Sequence, residues 1–66
     1  EAQIVACVGR GLVTIPDMVR VIYSEVDSRL HPAASRSVLA HLQHLVRTGR
    51  LKASGEATAG ATYVVA

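Results

Sequence analysis

The sequence predicts an α+β fold that is mainly helical: three helices followed by a small β-hairpin. Three observations lead there. Apolar residues recur at spacings of three and four through residues 4 to 46, as they do along amphipathic helices. Helix starts and stops are written at "TIPD" (residues 14–17) and at Gly9, Gly11 and Gly49. Two short β-prone runs, "RLKA" and "ATYVVA", flank the small-residue loop "SGEATAG", which reads as a flexible hairpin connection.

Taken in order, Ile4, Val5, Val8 and Leu12 form the stripe of a first helix that Gly9 and Gly11 end. "LVT", residues 12–14, is short and β-branched, a small strand or an extended link. The second helix has Thr14 as N-cap, Pro16 in the first turn, and Asp17 three residues after the cap, where its charge suits the positive end of the helix dipole. Ile15, Met18, Val19 and Ile22 make its buried stripe; Tyr23 falls about 140° from Met18 at 100° per residue, at the edge of the stripe or outside it. Residues 24–32, "SEVDSRLHP", read as a linker, with His31 before Pro32 a turn or capping residue. The third helix runs from Pro32 to Thr48, stops at Gly49, and has Arg47 and Arg50 at its negative end. Helix, short strand, helix, helix, hairpin is the order of a winged helix.

The 66 residues allow one small domain, residues 1–66. Half of them are hydrophobic, yet Trp and Phe are absent, so the core must be built from Val, Leu, Ile and Ala. Such a composition is too apolar for disorder. No apolar run approaches the roughly 18 residues of a membrane span, and no signal peptide is visible. The single cysteine, Cys7, cannot form an internal disulfide; it sits among Ile4, Val5 and Val8 as a small buried hydrophobe, which fits a reduced, cytoplasmic setting. The chain lacks an initiator Met and begins inside a helical pattern, so it reads as a domain cut from a longer protein. Residues 1–28 carry two arginines against four acids, net −2; residues 29–66 carry four arginines and Lys52 against Glu56, net +4. That asymmetry permits an anionic partner for the second half, and equally an ordinary solvated surface.

The third helix carries the chemistry to be weighed. With Leu42 at its centre, Val38, Leu39, Leu45 and Val46 lie within about 60° on a 100° wheel, a strong core stripe. Ser35 falls on the same side. The opposite face holds Arg36, Ala40, Gln43, His44 and Arg47, with Ser37 nearby and His41 at the boundary. Arg and Gln there, with Lys52 at the base of the wing, are candidate nucleic-acid contacts: Arg36, Gln43, Arg47 and Lys52. Against this, the wing loop has no Lys or Arg and carries Glu56, which repels phosphate, and affinity for nucleic acid comes largely from phosphate neutralisation.

His41 and His44 sit about 60° apart on the wheel and could share a metal ion. A closed zinc site needs four ligands and a catalytic one usually three, and Cys7 and the nearest acids lie on other elements without ligand spacing. The reading of the residues is therefore no metal site, no cofactor and no catalytic residue. "CVGRG", residues 7–11, follows a helix and not a strand, unlike a phosphate-binding loop.

A specific pattern remains. Ile22–Tyr23, Asp27, "LHPAA" at Leu30–Ala34, "SVLAHL" at Ser37–Leu42, and "LV" with "GRL" across Leu45–Leu51 together resemble the β-lactamase-associated winged-helix domain. That domain is the C-terminal module of a branch of metallo-β-lactamase-fold hydrolases, which includes the lactamase-β-like endoribonucleases. The resemblance covers about the whole chain and is densest in the middle. It implies a non-catalytic accessory domain at the C-terminus of a longer enzyme, packing on an upstream catalytic domain and shaping substrate access. The family's H-x-H-x-D-H motif is nowhere in these residues, so the resemblance assigns the metal, expected to be zinc, and the hydrolytic water to that upstream domain. Tyr23, Val26 and Leu30 are the expected docking surface, Tyr23 because it is large, amphipathic and off the core stripe. The competing expectation is a nucleic-acid module, either a DNA regulator or a domain guiding RNA to a nuclease site. A homodimer of the parent enzyme is compatible with either.

Overall fold

The computed structural model describes residues 1–66. Three α-helices, α1 (Ala2–Gly9), α2 (Ile15–Ile22) and α3 (His31–Arg47), precede two strands, β1 (Leu51–Ala53) and β2 (Tyr63–Val65). A 3-10 turn, Ser28–Leu30, leads directly into α3. The strands pair antiparallel with Leu51 opposite Val65 and Ala53 opposite Tyr63. This is the winged-helix order that the sequence predicts.

Local chemistry accounts for the helix ends. Thr14 is extended (φ −105°, ψ 152°), and its hydroxyl accepts from the Asp17 N–H at 3.3 Å, satisfying an otherwise orphaned donor. Asp17 also pairs with Arg20 one turn on. Both α1 and α3 end in the same motif, in which the N–H two residues past the cap bonds back five positions. Leu12 N–H donates to Cys7 O at 3.0 Å, and Arg50 N–H donates to Leu45 O at 2.9 Å. The pivots are Gly11 (φ 89°) and Gly49 (φ 79°), the only residues at positive φ; a Cβ disfavours that region. Gly9, read from sequence as part of the stop, is instead the last helical residue.

The "LVT" link forms no strand, yet it is tied to one. Tyr63 N–H donates to Val13 O at 3.0 Å. Thr62 O accepts from Ser54 and Ala66 N–H donates to Arg50 O on the β1 side. Tyr63 alternates with Thr62 along the strand, so its N–H points to the other edge, where Val13 lies.

One core joins all the elements: Ile4, Cys7 and Val8 of α1; Ile15, Met18 and Val19 of α2; Ala34, Val38, Leu42 and Leu45 of α3; and Leu51, Ala61 and Tyr63 of the wing. Met18, Leu42, Leu45 and Tyr63 have no exposed surface. The α3 stripe centres on Leu42, with Leu39 and Val46 half-buried at its margin. Tyr63 is a surprise, since an apparently bland final strand supplies the largest fully buried side chain. Its hydroxyl donates to Thr58 O at 2.6 Å, which gives the polar end of the ring a partner inside the domain. Burial pushes the Tyr63 phenol up from its ordinary pKa. No helix is long and apolar enough to cross a membrane.

Candidate functional site: the outer face of the third helix and the turn before it

The two surfaces singled out by sequence lie at opposite ends of α3's influence. One is the turn that feeds the helix; the other is its solvent face.

In the turn, Leu30 is 58% exposed, and Val26 and Tyr23 are half-buried. Tyr23 lies at the edge of the stripe, one of the two positions its wheel angle allows: it caps α2 and packs half-buried against the core cluster. It stands at the C-cap of α2 (φ −111°, ψ 32°). Two charges in the turn, Asp27 and Arg29, are matched locally, while Glu25 is exposed without a partner. The Asp27 carboxylate accepts from Arg29 N–H at 2.9 Å and from its guanidinium at 2.9 Å. Those bonds, the side-chain pair foremost, hold the Asp27 carboxyl below its usual range. His31 closes the 3-10 turn by donating its N–H to Ser28 O. Its side chain caps nothing, and its Nε2 is shielded from solvent without a hydrogen-bond partner.

On the outer face of α3, the Arg36 and Arg47 side chains are exposed, as is Lys52 on β1. None of the three, nor Arg50, has an acidic partner in the chain. Gln43 differs from its neighbours. It is half-buried, and its Nε2 donates to Ala57 O in the wing loop at 3.0 Å. The loop that the sequence reads as flexible is thereby held against the body, with Ala61 buried and Ala57 packed on the core.

His41 and His44 are both exposed. They bracket one oxygen of Glu1, with Nδ1 of His44 at 2.7 Å and Nδ1 of His41 at 3.4 Å. The His44 bond foremost holds the Glu1 carboxyl below its ordinary range. No group of three or more His, Cys, Asp or Glu side chains is arranged to hold a metal ion. Sequence reasoning missed Glu1 altogether, and it carried no local signal: it lies 43 positions from His44.

Comparison with known proteins adds one result. The family described as "Beta-lactamase associated winged helix domain" matches residues 14–60. No curated protein and no solved structure matches the chain. The matched span runs from the Thr14 cap through α2, the turn and α3 into the wing loop, most of the chain. The chain therefore belongs to the β-lactamase-associated winged-helix domain family.

Proposed function

We propose that this chain is the non-catalytic accessory domain of a metallo-β-lactamase-fold hydrolase. It packs on the catalytic domain through a surface that includes Tyr23, Val26 and Leu30, and helps to wall the substrate entrance. The metal ions and the attacking water belong, in this reading, to the upstream catalytic domain. A reduced, cytoplasmic setting goes with it, since the one cysteine is free and buried.

The observation that supports it best is the exposure of Leu30, 58%, on a turn where the nearest charges, Asp27 and Arg29, neutralise each other and Glu25 is exposed to water. Burying a fully exposed leucine gains about 1.5–3 kcal/mol, Leu30 gains the share set by its exposure, and the Asp27–Arg29 pair beside it can be covered without leaving either charge unpaired. Tyr23 and Val26 supply further apolar area on the same segment.

The test uses the full-length hydrolase. Leu30→Ser should loosen the domain from the catalytic core, seen as faster cleavage between the domains by protease, and should change activity on large substrates more than on small ones. Tyr23→Ala is a poorer probe than its sequence position suggests. It packs on the core, so its loss lowers the domain's own melting point as well. Unchanged cleavage and activity in Leu30→Ser would remove the docking assignment.

A second reading is a nucleic-acid-binding winged helix, either a DNA regulator or an RNA guide for a nuclease. It is supported by exposed, acid-free Arg36, Arg47 and Lys52. Glu56 in the wing and the engagement of Gln43 by Ala57 weigh against it. Single-stranded RNA binding by the full-length protein across a salt series separates the two. Loss of the salt slope after Arg36, Arg47 and Lys52 are all changed to Glu assigns phosphate contacts to them, and an unchanged slope denies the role.

A further inference from the structure

A cleft of about 200 Å³ opens between α1 and α2, lined by Gln3, Ala6, Cys7, Arg10, Val21 and Ile22. The α1 residues stand three, four and seven apart, on a single helical face. Ala6, Cys7, Val21 and Ile22 make the cleft apolar; Gln3 and Arg10 are its polar members. Val21 is 41% exposed, an apolar residue facing water on an otherwise amphipathic helix. The volume is below the roughly 300–1,000 Å³ of a drug-sized ligand site. It suits a side chain better than a cofactor.

Charge pairing says what kind of side chain. Asp17 is held by Arg20, Asp27 by Arg29, and Glu1 by His44 and His41. Within residues 1–28, which are net negative, Arg10 is the one cation with no acid of its own. A guanidinium beside an apolar slot matches a carboxylate beside an apolar side chain, because its fork of N–H donors can bond both carboxylate oxygens. The α2 wall of the cleft, Val21–Ile22, also continues in sequence into Tyr23, Val26 and Leu30, so the two surfaces are consecutive along the chain.

We propose that this cleft receives an apolar side chain of the neighbouring β-lactamase-fold domain, with an adjacent carboxylate of that domain bonded to Arg10. The assignment rests on the docking reading and adds a specific socket to it. The apolar group displaces water from Ala6, Cys7, Val21 and Ile22, and Arg10 fixes the register of the contact.

The experiment compares four variants of the full-length chain by the rate of protease cleavage between its domains. Arg10→Glu reverses an exposed charge that has no partner in the domain, and Ala6→Trp fills the slot from an exposed position. Leu30→Ser serves as the reference for lost docking. Arg10→Glu and Ala6→Trp should each raise the cleavage rate about tenfold, the loss of a charge-assisted contact read as a larger open population. Arg10→Lys keeps the charge and should lie between parent and Arg10→Glu. If Leu30→Ser raises cleavage while Arg10→Glu and Ala6→Trp leave it at the parent rate, docking stands and the socket is wrong. If Arg10→Glu, Ala6→Trp and Leu30→Ser all leave it unchanged, both are wrong. If Arg10→Glu instead abolishes self-association of the full chain at unchanged cleavage, the cleft belongs to a second copy and the assignment to the neighbouring domain is overturned.

Discussion

Gln43 on α3 donates from Nε2 to the backbone carbonyl of Ala57 at 3.0 Å, a contact across 14 positions of sequence. It joins the helix that would read nucleic acid to the loop that would grip its backbone, and it occupies both. Gln43→Ala removes the donor and leaves the Ala57 carbonyl to water, at a cost of about 1 kcal/mol. Amide hydrogen exchange should show the effect locally, with residues 54–62 exchanging faster and α3 unchanged. Unaltered exchange in the loop would mean that Tyr63 alone holds it.

Tyr63 is the second tether, through its hydroxyl to Thr58 O. Tyr63→Phe should cost about 1 kcal/mol at neutral pH. The phenol also gives the fold an alkaline limit. Burial raises its folded pKa above the unfolded value, so the protonated form is favoured by folding. That contribution is complete below the unfolded tyrosine value of about 10 and is lost as pH rises through the higher folded value. Melting temperature against pH should fall on the alkaline side in the parent, and fall less in Tyr63→Phe.

Leu42 has no exposed surface and stands at the centre of the α3 stripe. Leu42→Ala should cost about 2–5 kcal/mol through the cavity it leaves. That is a large share of the stability of so small a domain. A melting temperature within a degree or two of the parent would contradict the placement of the core.

Two glycines differ in what they tolerate. Space is open around a Cβ at both Gly49 and Gly55, but Gly49 has φ 79° and Gly55 is not at positive φ. Gly49→Ala should therefore destabilise by about 1–2 kcal/mol from backbone strain alone. Gly55→Ala should stabilise by about 0.4–1 kcal/mol by restricting the unfolded chain. Chemical denaturation of the pair reads the difference directly.

Much of this fold is legible in the sequence because its signals are local. The Thr14 cap, Asp17 in the first turn, the pivots at Gly11 and Gly49 and the Leu42 stripe all act within a few residues. What escapes is decided by distant partners. On a helical wheel Gln43 and His41 flank Leu42 at equal angles, about 100° on either side. The structure makes them unlike: the wing covers Gln43, while His41 stays exposed beside Glu1. Tyr63 is buried because β2 lies between β1 and the Val13 link, a closure over some fifty positions that no periodicity in a three-residue strand reports. Membership of the family was readable from "LHPAA" and "SVLAHL", and the proposed docking residues Tyr23, Val26 and Leu30 from the segment between α2 and α3; what the structure adds is the exposure of Leu30.

In the proposed docking, residues 23–30 face another domain. Leu30, Val64 and Val65 are 58%, 52% and 56% exposed in this domain, so hydroxyl-radical labelling, corrected for intrinsic reactivity, should mark them alike if nothing covers them. In the full-length protein, docking as proposed gives strong protection of Leu30, and of Tyr23 and Val26 beside it, with Val64 labelled freely. Labelling of Leu30 to the same extent as Val64 and Val65 in the full-length protein would contradict it.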